Sequence, residues 1–65
     1  MYNNPQIKQL IIWANDKKKV CSKLKNEIDD LIELSLNEIE DGGSVAHEIQ
    51  LCMSDIEELI KENCN

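Results

Sequence analysis

Asp41-Gly42-Gly43-Ser44 is the one strong break inside this 65-residue chain, and its reading decides the fold. A glycine after a helical pattern supplies the left-handed residue that ends a helix. Ser44 then has the side chain of an N-cap, whose oxygen accepts from a free backbone N–H at the start of the next helix. A connection this short makes the two helices antiparallel neighbours.

Downstream of the break, Val45, Ile49, Cys52, Met53, Ile56, Leu59 and Ile60 step by three and four, forming one apolar stripe on a helix from about Ser44 to Asn63. Leu51 falls on the opposite side. Upstream, Asn4 is a cap candidate, and Pro5 stands where a missing N–H costs nothing. From there Ile7, Leu10, Ala14, Lys17, Cys21, Leu24, Ile28, Leu31 and Ser35 alternate by three and four, the spacing of a coiled-coil seam. Ile32, Leu34 and Ile39 widen the stripe, and no Gly or Pro interrupts residues 6–41. The polar run Asn15-Asp16-Lys17-Lys18-Lys19 is the one place where a joint could fall, with Asp16 as its cap. Three lysines in the first turn of a new helix would oppose its dipole. The expectation is therefore one continuous helix over about 5–41, a turn at 42–43 and a second helix over about 44–63. Cys21, Leu24, Ile28, Leu31, Ile49, Cys52, Ile56 and Leu59 form the expected hairpin core.

Such a hairpin has arms of unequal length. A helix of about 36 residues is about 54 Å long, and one of about 20 residues about 30 Å. Residues 5–20 then overhang the second helix and carry Ile7, Leu10, Ile11, Ile12, Trp13, Ala14 and Val20. Burying such a patch is worth on the order of 10 kcal/mol gross, and soluble monomers rarely leave one open. The overhang can fold back at the polar run as a third helix, pack on a second copy, or dock on a different protein. Residues 1–25 hold six Lys and one Asp, whereas residues 26–65 hold one Lys and twelve acids. Two copies placed head to tail would set each basic arm on the other's acidic hairpin. The fold expected is all-α: a helical hairpin assembling as an antiparallel homodimer with a four-helix centre. Its dimer interface would be Ile7, Leu10, Ile11, Trp13, Ala14 and Val20.

Length and composition bound the function. A chain this short holds a single small domain, 1–65, with no room for a cleft-bearing two-layer enzyme. The longest apolar run, Leu10–Ala14, is far short of a membrane span, and Met1-Tyr2-Asn3-Asn4-Pro5 has no basic leader. The expected location is cytoplasmic, with no membrane partner. In that compartment Cys21 and Cys52 read as small apolar core residues and Cys64 as a tail thiol. His47-Glu48 lacks the second His that a zinc-protease helix needs, since residue 51 is Leu, and no carboxylate–His pair has di-metal spacing. No metal, no cofactor and no catalytic residue is expected.

A net charge of −6 and the absence of Arg argue against nucleic acid as the partner. The basic stretch Lys17, Lys18, Lys19, Lys23 and Lys25 nevertheless carries an alternative reading as a small RNA-binding bundle. A second alternative rests on Gly43–Ile60. Its Asp55-Ile56-Glu57-Glu58-Leu59-Ile60 resembles the small two-helix aspartyl-phosphate phosphatases that regulate sporulation, with Glu57 where that family has its functional Asp. The resemblance covers less than a third of the chain and implies a phosphatase or phosphotransfer accessory using Glu57 or His47. The principal expectation is a small acidic regulator or inhibitor that binds a larger protein. Heavy use of Asn, Lys and Ile matches the coding habit of phages and mobile elements, and the concrete form is a phage protein that blocks a host defence or regulatory factor. Ile12, Leu34 and Leu51, off the main stripes, with Asp55 and Glu58, are the expected partner-binding residues.

Overall fold

The computed structural model describes residues 4–64, and these form three α-helices. α1 is Pro5–Val20, α2 is Lys25–Glu40 and α3 is Val45–Asn63, with a single 3₁₀ turn, Ser22–Leu24, between α1 and α2. No helix is long and apolar enough to cross a membrane among the described residues.

Both caps foreseen from the sequence are in place. The Asn4 side-chain oxygen accepts from the backbone N–H of Gln6 at 2.7 Å and of Ile7 at 3.4 Å, with Pro5 opening the helix. Ser44 Oγ accepts from the His47 N–H at 3.4 Å. Between α2 and α3 the chain closes as a Schellman motif. The Gly43 N–H donates to the Glu38 carbonyl at 2.8 Å, the Gly42 N–H donates to that of Ile39 at 3.1 Å, and Gly42 has φ +102°. Each glycine is needed for a different reason. An L-residue at Gly42 would adopt a strained backbone, whereas a Cβ at Gly43 would lie 2.8 Å from the Glu38 carbonyl oxygen. Gly42→Ala is expected to lower the unfolding free energy by about 1–2 kcal/mol, with Gly42→Asn costing less because Asn tolerates this region. Urea denaturation of the two variants checks the order.

The continuous first helix is overturned. The chain leaves helical geometry at Cys21, φ −135° and ψ 79°, and the molecule measures 34 × 17 × 16 Å, too short for a single helix of about 54 Å. The joint is also not at residues 15–19, which lie within α1. Lys17, Lys18 and Lys19 occupy its last turn, where the dipole favours cations, instead of the first turn of a new helix. The Cys21 N–H still donates to the Lys17 carbonyl at 3.0 Å, and the Leu24 N–H donates back to Cys21 at 3.1 Å. No side chain caps the 3₁₀ turn or the start of α2.

Because α1 folds back, one chain shelters the apolar arm itself. Leu10, Ala14, Cys21, Leu24, Ile28, Cys52 and Ile56 form one buried cluster, with Trp13, Leu31, Ile32, Ile49, Met53, Leu59 and Ile60 packed at its edge. Ile7 is buried too. Three of the residues assigned to a dimer interface, Ile7, Leu10 and Ala14, are thus internal, and Ile11 and Trp13 are half-buried. Of the six, only Val20 lies open, at 70% exposure. A second copy is not needed to cover the arm, and the length mismatch that motivated the dimer does not exist.

Two contacts reinforce the joint. Lys18 Nζ meets Asp29 Oδ1 at 2.6 Å, bridging α1 to α2. A Cys21–Cys64 disulfide, with Cα atoms 6.1 Å apart, fastens the joint to the end of α3. This corrects the reading of Cys21 and Cys64 as thiols, whereas Cys52 is free and buried as expected.

Candidate functional site

The antiparallel pairing of α2 and α3 leaves a groove along their outer face. At the turn end it is lined by Leu31, Leu34, Ser35 and Glu38 from α2, and by Glu48, Leu51 and Asp55 from α3. Towards the disulfide end the lining continues with Glu27, Asp30 and Leu31 facing Asp55, Glu58, Leu59 and Glu62, around a cavity of about 400 Å³. Leu31 and Asp55 belong to both parts, so the groove is continuous. Helical spacing explains the set: residues 27, 31, 34 and 38 of α2, and 48, 51, 55, 58 and 62 of α3, each recur by three or four on one face.

The chemistry of this groove is uneven in a useful way. Its lining includes Glu27, Asp30, Glu38, Glu48, Asp55, Glu58 and Glu62 and no lysine. Between these carboxylates, Leu34 and Leu51 stand 61% and 45% exposed. Beneath them, Ser35 and Cys52 are buried together between the helices. Burial pushes the Cys52 thiol above its usual range, the Ser35 hydrogen bond pulls it down less strongly, and the charge of Asp55 adds to the rise. An activated nucleophile needs the opposite shift.

A second groove runs between α1 and α3, around a cavity of about 570 Å³. Leu10 and Trp13 face Ile49 and Met53 there, with the amides of Gln6, Gln9 and Gln50 at the rim. Lys17 Nζ lies 5.3 Å from the Trp13 ring centre, a cation–π distance that covers part of the indole.

Of the expected partner-binding residues, Leu34, Leu51, Asp55 and Glu58 come together on the α2–α3 groove. Ile12 does not: it is 58% exposed on α1 and lines neither groove. The lysine cluster surrounds the α1–α2 joint, with Lys17, Lys18 and Lys19 in the last turn of α1, Lys23 in the 3₁₀ turn and Lys25 opening α2; Lys17 lies on Trp13 and Lys18 on Asp29. His47 lies in the first turn of α3 and Glu57 about 15 Å further along it, so the two form no site together. No group of three metal-ligating side chains is gathered among the described residues. The carboxylates Glu27, Asp30, Glu38, Glu48 and Glu62 complete the groove although no sequence motif singles them out. Their signal is the pairing register across Gly42-Gly43. No protein-family model, curated protein or solved structure matches the chain.

Proposed function

We propose that this chain is a non-catalytic protein-binding regulator or inhibitor, of the kind with which a phage or mobile element blocks a larger host protein, and that it docks through the α2–α3 face. The observation that carries this reading is the convergence of Leu34 and Leu51, both open to solvent, among the carboxylates of Glu38, Glu48 and Asp55 on one helical pair. Exposed apolar side chains set among polar ones are the usual anatomy of an interface. The net charge of −6 and the absence of Arg support protein binding over RNA recognition, and the raised Cys52 thiol offers no activated nucleophile. A tagged chain expressed in its host is expected to retain a stoichiometric partner that the Leu34→Ser/Leu51→Ser variant loses. Equal recovery by both chains, or a partnerless chain in each case, overturns the proposal.

A further inference from the structure

The α2–α3 groove also specifies what kind of partner it takes. Two antiparallel helices leave a channel into which a third helix can lay its ridge of side chains. From Glu48 to Glu62 the groove follows α3 for about 21 Å, the length of a helical segment of about four turns. The lining sets leucines (Leu31, Leu34, Leu51 and Leu59) among carboxylates on both helices: Glu27, Asp30 and Glu38 on α2, Glu48, Asp55 and Glu58 on α3. The complement of this mixed lining is a helix that carries both apolar side chains and cations on the face it presents.

We infer that the groove binds a basic amphipathic helix of a partner protein, which sets apolar side chains against Leu34 and Leu51 and Lys or Arg side chains against the carboxylates of both helices. The inference rests on the functional reading above and goes beyond it by stating the partner's chemistry. Nucleic acid is repelled by these carboxylates. A purely basic globular surface would satisfy the carboxylates but would leave the leucines uncovered. An acidic or neutral helix would cover the leucines but would meet the carboxylates with like charge or none.

The test uses the full oxidised chain and a synthetic helical peptide of about 15 residues, made of leucine and lysine with the leucines on one face. A scrambled peptide of the same composition serves as the reference for charge alone. Fluorescence anisotropy is expected to show binding of the patterned peptide at least tenfold tighter than the scrambled one, weakening as salt rises. Each of Leu34→Ser and Leu51→Ser should weaken it about tenfold and the pair about a hundredfold, while Ile12→Ser changes nothing. Because Leu34 and Leu51 are exposed, the variants keep the fold, which circular dichroism verifies. Amide shifts on adding the peptide should be confined to groove residues of α2 and α3. Equal binding of patterned and scrambled peptides, or shifts centred on Trp13, overturns the inference. So does sedimentation of the free chain as a dimer that Leu34→Ser/Leu51→Ser dissociates, since the occupant is then a second copy. If the tagged chain holds a host partner through Leu34 and Leu51 yet ignores the patterned peptide, the partner's chemistry is wrong while the docking function stands.

Discussion

Cys64→Ser is expected to lose about 4 kcal/mol of unfolding free energy. The Cys21–Cys64 bridge spans a sequence separation of 43 residues. Closing a loop of that size removes about 4 kcal/mol of conformational entropy from the unfolded chain. For 65 residues the whole stability is about 3–10 kcal/mol, so the bridge accounts for a large part of it. The position of the bridge adds to the argument. Asn4, Ser44 and the Schellman turn secure three helix ends locally, whereas no side chain caps the Cys21–Leu24 joint. The disulfide fastens that weak point to the C-terminal end of α3. Urea unfolding of the wild-type chain with and without a dithiol reductant checks the claim. Reductant should lower the wild-type midpoint to that of Cys64→Ser and leave the variant unmoved, while Cys52→Ala keeps the sensitivity to reductant. A wild-type midpoint that ignores reductant would overturn it.

The parts of the fold that local chemistry dictates could be read from the residues. The Gly42-Gly43 turn, the Asn4 and Ser44 caps and the stripe of α3 each need only a few neighbouring positions. The break at Cys21 could not be read in that way, because Val20-Cys21-Ser22-Lys23-Leu24 holds no Gly, no Pro and no side chain that caps either helix. It is imposed from a distance, by α3 offering a surface on which Ile7, Leu10 and Ala14 can be buried. Heptad spacing does not distinguish the two outcomes. The Ile7–Ala14 stripe and the Cys21–Ile28 stripe must both face inward whether the helix is straight or folded. The three lysines do not separate the two outcomes either: a helix that ends with them satisfies the dipole, as does a helix that never breaks.

The disulfide had a signature as well. Cys21 lies 21 residues before Gly42 and Cys64 lies 21 residues after Gly43, so an antiparallel hairpin sets them opposite each other. The docking face was half legible. Leu34 and Leu51 stand out as apolar residues away from the buried stripes. The acidic lining emerges only once the two helices are paired in register, because a carboxylate on an isolated amphipathic helix looks like any solvated face.

Leu10→Ala separates the folded-back arm from an extended one, and its expected cost is about 2–5 kcal/mol. Leu10 is 1% exposed and belongs to the central cluster, so truncation loses both the transfer energy of the side chain and the packing around the space it vacates. Ile12, two positions along the same helix and 58% exposed, supplies the comparison: Ile12→Ala should stay within about 0.5 kcal/mol of wild type. Trp13 reports locally, since it lines the α1–α3 groove beside Leu10, Ile49 and Met53. Its fluorescence should shift to the red in Leu10→Ala and not in Ile12→Ala. Protein concentration decides the remaining question. With Ile7, Leu10 and Ala14 buried within one chain, the unfolding midpoint is expected to be the same at two concentrations tenfold apart. A midpoint that rises with concentration and loses that dependence in Leu10→Ala would mean that the arm packs on a second copy. The fold would then be shared between chains instead of completed within one.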